Sequence, residues 1–228
     1  MSTAPHSLNQ LLAELHAERV STWDPAALQV NIDQRQRLVD QAPGQPFVRK
    51  GDTLAPFTLL KVEGGELGLD TLVRRGPAVL VFFRFAGCPA CNIAIPYYQR
   101  HLQPALQARG VPLVAVSPQV PERLIEIKQR HELTLQVASD PDNSLARRLG
   151  ILYSFDEASR AAAEAKGSSI DAVTGTGTWE LPQPTVVVIG ADRQVHFAQV
   201  SPDWLVRTEA QPIIDAVDAL LTPTQATA

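Results

Sequence analysis

Three strand-length apolar runs, separated by stretches with helical periodicity, constrain this chain more than any other feature. Residues 78–85 are apolar at nearly every position and β-branched at Val79 and Val81. Residues 111–117 and 185–189 share that character. A strand that is apolar on both faces is one buried on both faces. Helical patterns at 88–109, with Pro96 and Pro104 as bends, and at 121–131 follow the first two runs. Strands alternating with helices imply right-handed β-α-β crossovers. The expected fold is α/β, a central mixed and mainly parallel sheet with helices on both faces.

The flanks read differently. Leu8, Leu11, Leu12 and Leu15 form one helical stripe, Trp23-Asp24-Pro25 ends it, and Leu28, Ile32 and Val39 suggest a second, weaker helix. Residues 41–46 are a linker. Residues 1–46 are therefore expected to be a helical extension that completes the core or serves as a homodimer contact. Residues 47–221 form the α/β domain and 222–228 a tail. Within the domain the pattern predicts a strand at 56–60, a helix at 144–149 closed by Gly150 and an exposed helix at 156–166. A loop at 174–178, an antiparallel strand at 194–200 and a final helix at 208–221 complete it.

Net charge is −4 with both signs interspersed, so no basic surface points to nucleic acid. No apolar run is long enough for a membrane span. The start of the chain lacks a basic segment followed by an apolar stretch, and the expected address is cytoplasmic.

Only two cysteines are present, as Cys88-Pro89-Ala90-Cys91, directly after an apolar strand and at the start of a helix. Unpaired backbone N–H groups and the helix dipole converge there, which lowers the expected pKa of Cys88. Pro89 suits a first helical turn. Cys91, one turn in, is expected to be shielded from water yet within reach of Cys88, so a redox-active disulfide can close between them. A structural disulfide over so short a loop would stabilise little. A zinc site would need further ligands that the five histidines, His101 and His131 among them, do not supply as a cluster. No metal and no cofactor is expected.

A depressed pKa alone does not make a fast thiol. Moving it from about 8.5 to about 6 raises the thiolate fraction at neutral pH roughly thirtyfold, and lost intrinsic nucleophilicity returns roughly tenfold of that. Charge-stabilising donors are needed as well. Arg84, at the strand end, is the nearest candidate, with Arg147 and Arg148 weaker ones.

Three runs carry a resemblance to peroxiredoxin-like proteins of the alkyl hydroperoxide reductase/thiol-specific antioxidant (AhpC/TSA) family, in the thioredoxin superfamily. They are Val81-Phe-Phe-Arg-Phe-Ala-Gly-Cys-Pro-Ala-Cys91, Gly51-Asp-Thr-Leu-Ala-Pro-Phe-Thr-Leu59 and Val114-Ala-Val-Ser-Pro-Gln119. Asp140-Pro-Asp-Asn143 and Trp179-Glu-Leu-Pro-Gln-Pro184 fit the same pattern. The resemblance implies a thioredoxin-like fold and a thiol peroxidase in which Cys88 attacks hydrogen peroxide or an organic hydroperoxide. Cys91 then resolves the product, and a thioredoxin-like dithiol recycles the pair. It further implies a cis-Pro184 beside the cysteines, with Gln183 offering main-chain groups to a docking disulfide. The chain departs from peroxiredoxins in carrying Phe85 where they place Thr or Ser before the peroxidatic cysteine. Two other functions compete, a thioredoxin-like protein thiol–disulfide oxidoreductase and a redox-sensing interaction module.

Overall fold

The computed structural model describes residues 6–222. Residues 1–5 and all of the expected tail beyond Thr222 lie outside the described residues. The extension is two helices, α1 (Leu8–Thr22) and α2 (Pro25–Gln41). Ser7 caps α1 reciprocally with Gln10, and Asp24 caps α2 by accepting from the Ala27 N–H. The helix expected to be weak is thus a full 17 residues long, because its cap and Pro25 in its first turn fix its start.

The chain then forms β1 (Thr58–Lys61), β2 (Glu66–Gly68), α3 (Leu69–Val73) and β3 (Ala78–Phe82). The long helical region that follows is two helices, α4 (Pro89–His101) and α5 (Gln103–Ala108). Pro104, which has no N–H to donate, falls in the first turn of α5 and separates them. Next come β4 (Leu113–Ser117), α6 (Pro121–Arg130), β5 (Gln136–Ser139), a 3-10 turn (Pro141–Asn143) and α7 (Ser144–Arg148). Asp140 caps α7 from outside, accepting from the N–H groups of Leu145 and Ala146 at 2.9 and 2.8 Å. The last elements are β6 (Leu152–Ser154), α8 (Glu157–Ala165), α9 (Ile170–Thr174), β7 (Glu180–Pro182), β8 (Thr185–Ile189), β9 (Val195–Val200) and α10 (Ala210–Leu221).

Seven strands form the main sheet in the order β2-β1-β5-β4-β3-β8-β9, and β6 pairs with β7 apart from it. The sheet is mixed, with parallel pairing confined to β5-β4-β3. The other pairs are antiparallel. Short connections such as β1–β2 and β8–β9 permit nothing else, whereas parallel neighbours need the long helical crossovers that α4–α5 and α6 supply. Alternation along β3 divides the core. Val79 and Val81 face α4, α6, α10 and the α1 residues Leu8 and Leu12, while Ala78, Leu80 and Phe82 face α3 and α7. The cysteines lie in the first of these layers.

The chain leaving the extension passes the domain at a tight crossing. Val48 donates to the Leu149 carbonyl at 2.8 Å, and Gly150 adopts φ +70° directly against Pro46. A Cβ on Gly150 would lie 2.3 Å from the Pro46 carbonyl oxygen. Glycine is required there by both backbone angle and space.

Candidate active site

β3 delivers the chain to a turn, residues 83–88, that neighbouring elements hold in place. Ser117 at the end of β4 donates to the Arg84 carbonyl at 3.0 Å, and Gln119 accepts from the Ala86 N–H at 2.8 Å. Asn92 in α4 reaches back to the carbonyls of Ala86 and Cys88. Cys88 is the N-cap of α4 and Pro89 opens the helix. Both cysteines are free thiols and both are buried.

Two arginines close on the pair from different sides. Arg84 Nη1 lies 3.9 Å from Cys88 Sγ, and Arg207 Nη2 lies 3.4 Å from Cys91 Sγ. Arg84 sits in an aromatic box, its guanidinium 4.3 Å from the Trp204 ring centre and 5.5 to 5.9 Å from Phe155, Phe85 and Tyr153. Burial favours its neutral form, but Tyr153 and the two sulfurs outweigh that and hold it charged. Arg207 is fixed by its own Nε, which donates to the Trp204 carbonyl at 3.0 Å.

Cys88 had been expected to be exposed and acidic, and the structure corrects both points. It is 1% exposed, and its sulfur caps no backbone N–H. Burial and a hydrogen bond to Cys91 push its thiol well above the ordinary range, with Arg84 and Arg207 offsetting only part of the shift. Burial acts in the same direction on Cys91. There, however, the hydrogen bond from Cys88 and the charge and hydrogen bond of Arg207 prevail, and its thiol falls well below the ordinary range. The two titrate as one unit. Its first proton leaves with the negative charge resting on Cys91.

Access divides the pair the other way. A cavity of about 290 Å³ opens at Cys88, lined by Arg84, Phe85, Phe155 and Trp204, with Trp23 and Arg19 contributed by the extension. Cys91 is not among its lining residues. α8 is exposed along most of its length, as expected, and its inner side packs against α2 and forms part of the wall through Ala162 and Ala163.

Arg84, Pro89, Cys88 and Cys91 are thus brought together. Gln183 and Pro184 are not part of the cavity, and the expected cis bond is absent, since every described peptide bond is trans. Pro184 enters β8 as a strand's first residue, where no ladder N–H is needed, and its carbonyl accepts from Ser201. The Gln183 N–H is taken by the Ile151 carbonyl and its own carbonyl by the Thr185 hydroxyl. The Gln183 N–H is therefore not available to a docking disulfide. Arg147 pairs with Glu180, and Arg148 donates to the Pro56 carbonyl. His131 bonds Asn92 and His101 stacks on Tyr97. Among the described residues no group of three or more His, Cys, Asp or Glu could hold a metal ion, and no helix is long and apolar enough to cross a membrane.

Sequence reasoning did not find Trp204, Arg207 or Arg19. The first two stand on the irregular segment between β9 and α10, and the extension grips that segment at three points. Asn9 exchanges two hydrogen bonds of 2.8 Å with the Arg207 backbone, as a neighbouring strand would. Glu209 accepts from the N–H groups of Leu8 and Asn9 at 3.0 and 2.9 Å. Arg35 of α2 pairs with Asp203 at 2.9 Å. The only local signal was a tryptophan and an arginine three residues apart in a segment without periodicity.

The solved structures with a similar fold include the peroxidoxin BcpB of Mycobacterium tuberculosis, at 20% identity and TM-score 0.59 over 77% of this chain and 99% of that one. A thiol peroxidase from Chromobacterium violaceum is similar at 15% identity and TM-score 0.57, over 76% of this chain and 88% of that one. At these identities the likeness establishes the fold, which is thioredoxin-like. In sequence, the peroxiredoxin bcp of Haemophilus influenzae is 28% identical over 107 residues, 44% of this chain and 64% of that protein. A peroxiredoxin of Mycobacterium tuberculosis, Rv2521, is 31% identical over 101 residues, 44% of this chain and 62% of that protein. The chain therefore spans somewhat under two thirds of the length of these relatives. The model of the AhpC/TSA family matches residues 50–198, a stretch that holds the whole main sheet up to β9, the cysteine turn and Arg84. The extension, Trp204 and Arg207 fall outside that match. On the strength of the sheet, the cysteine turn and this match, the chain belongs to the AhpC/TSA family.

Proposed function

We propose that the protein is a thiol-dependent peroxide reductase in which Cys88 attacks and Cys91 resolves. The observation that carries this reading is that Cys88, and not Cys91, faces the cavity, with the Arg84 guanidinium beside it. A proton passes from Cys88 to Cys91 within the hydrogen-bonded pair, giving the Cys88 thiolate. That thiolate attacks the nearer peroxide oxygen, the O–O bond breaks, and Cys88 becomes a sulfenic acid. The departing alkoxide or hydroxide takes the proton from the Cys91 thiol. Cys91 is left as a thiolate against Arg207 and attacks the Cys88 sulfur. The S–S bond forms as hydroxide leaves and takes up a solvent proton. An external dithiol of the thioredoxin type then reduces the disulfide and is itself oxidised.

Arg84 supports the first step by donating toward the oxygen on which charge develops, a contribution worth roughly 10²–10³ in rate when such a donor is preorganised and dry. The aromatic box serves that end by fixing the guanidinium and excluding water. A sulfur that must return to a thiol in each cycle suits a reducing compartment, in keeping with a cytoplasmic address.

Reduced protein mixed with hydrogen peroxide or cumene hydroperoxide in a stopped-flow instrument tests the reading. The expected result is consumption of one equivalent with formation of one disulfide, and turnover once a dithiol reductant is added. No consumption, together with efficient reduction of insulin disulfides, would replace it with a protein disulfide oxidoreductase. The committed N–H of Gln183 weighs against that alternative.

A further inference from the structure

Ala86, two residues before Cys88, is fully buried, yet neither of its main-chain groups has a main-chain partner among the described residues. A buried peptide group left unpaired is costly. Side chains from three elements meet the need instead. The Ala86 N–H goes to Gln119, and its carbonyl accepts from Asn92 Nδ2 at 2.7 Å and from Arg130 Nη1 at 3.1 Å. The same Asn92 amide donates to the Cys88 carbonyl at 2.9 Å. The Cys88 N–H closes the turn on the Phe85 carbonyl at 3.2 Å. One carboxamide thus ties both ends of the Gly87 bend to the first turn of α4, the turn that carries Cys91.

Asn92 is itself held. Its Nδ2 is committed to two carbonyls, so its Oδ1 is left to accept, from Arg130 Nη1 at 2.9 Å and His131 Nε2 at 2.7 Å. That oxygen can only accept, which places a His131 proton on Nε2. Arg130 pairs in turn with Glu126, one turn earlier on α6. Flipping the amide would set its oxygen against two carbonyls and its NH2 against two donors, so the network fixes one orientation. Forming a bond between two groups costs least when they are already held together. We propose that Asn92 is a positioning residue for closure of the Cys88–Cys91 disulfide, with Arg130 and His131 fixing its amide. It holds the Cys88 backbone against the helix turn that carries Cys91, and the pair closes without a search. Closure joins the Cys88 sulfenic sulfur to the Cys91 sulfur and releases water. A second hydrogen peroxide competes by adding an oxygen to the sulfenic sulfur, giving a sulfinic acid and water. This kinetic part rests on the peroxidase reading, whereas the equilibrium between dithiol and disulfide does not.

Equilibrium and competition test the two parts separately. Full-length protein equilibrated with reduced and oxidised dithiothreitol, quenched with acid and alkylated, gives the disulfide fraction by mass. Asn92→Ala is expected to lower the equilibrium constant for the disulfide by roughly tenfold, the scale of two lost hydrogen bonds and about 30 mV in potential. Arg130→Ala, at a half-exposed residue, should lower it less and in the same direction, and it decides the matter if the Asn92 variant does not fold. Under excess hydrogen peroxide the ratio of sulfinic acid to disulfide should rise by roughly tenfold in Asn92→Ala. A merely structural role would lower the urea midpoints of the dithiol and disulfide forms equally and leave the equilibrium constant where it was. That result would overturn the proposal. A shifted equilibrium with no peroxide consumption by the unmodified protein would uphold the positioning role and remove the peroxidase reading. Peroxide turnover with an unshifted equilibrium would do the reverse.

Discussion

The two cysteines stand three residues apart, yet their surroundings differ in almost every physical respect. Cys88 faces a cavity and an arginine held by stacking, with the nearest nitrogen 3.9 Å away. Cys91 does not line that cavity and faces an arginine held by a backbone hydrogen bond, with Nη2 3.4 Å away. Access is thus given to one sulfur and charge to the other. The difference teaches that a stored thiolate and an attacking thiolate need not be the same atom when a proton can move between them. In the proposed mechanism the charge favoured beside Arg207 passes to Cys88 by proton transfer within the pair.

The comparison breaks first on the cavity side. Arg84→Ala should slow peroxide attack by roughly a hundredfold, within the range for loss of a preorganised charge-stabilising donor. Arg84→Lys sharpens the point, because it keeps the charge but loses the planar stack on Trp204. A rate between those of the unmodified protein and the alanine variant is expected, measured by stopped-flow loss of peroxide. Equal rates in all three would place Arg84 outside the reaction.

On the dry side the expected effect is smaller and falls on a different step. With Arg207→Gln the pair loses the charge that holds Cys91 low, so its first ionisation should move up. Thiolate absorbance should show the first ionisation at lower pH in the unmodified protein than in the variant. Peroxide consumption should rise with pH through that first ionisation in both proteins, later in the variant. Closure of the disulfide should slow by roughly tenfold, the scale of one charge-assisted hydrogen bond. An unshifted titration would remove Arg207 from the account.

The smallest expected effect is on the clamp that positions Arg207. Burial raises the Glu209 carboxyl, but hydrogen bonds from the Asn9 and Leu8 backbone, the Asn9 side chain and the Tyr97 hydroxyl outweigh it, and the net shift is downward. A lowered folded-state pKa contributes stability that is complete above the unfolded carboxylate value and is lost as pH falls through the folded one. Glu209→Gln should therefore cost about 1 kcal/mol near neutral pH. The gap in urea midpoint between it and the unmodified protein should narrow on acidification. A gap that does not change with pH would show that the carboxylate charge does not hold the clamp.

How much of this was legible in the sequence depended on distance along the chain. The β3 run, the helix start at Pro89, Arg84 and the cysteine pair are contiguous, and local chemistry identifies them. Arg207 lies 116 residues from Cys91 in an irregular segment, and no periodicity connects the two. Arg19 stands on α1 as an ordinary charge in the sequence, and only tertiary packing buries it. The cis-Pro184 expectation came from resemblance to thioredoxins. It failed because the neighbouring backbone is already satisfied in the extended form, Gln183 by Ile151 and Pro184 by Ser201. Cys88 was expected to be acidic on the strength of its helix position alone. Burial and a hydrogen bond to Cys91 outweigh that position, and Arg207 places the charge on Cys91 instead.

The division between an accessible sulfur and a charged one is the central claim, and one trapping experiment tests it directly. Reduced Cys91→Ser and Cys88→Ser variants would each be given one equivalent of hydroperoxide with a sulfenic-acid trap present, and the adduct located by peptide mass spectrometry. The account expects a trapped sulfenic acid on Cys88 in the Cys91→Ser protein and no fast adduct on Cys91 in the Cys88→Ser protein. A rapid adduct on Cys91 when Cys88 is absent would contradict it, since peroxide would then reach the sulfur that the fold encloses.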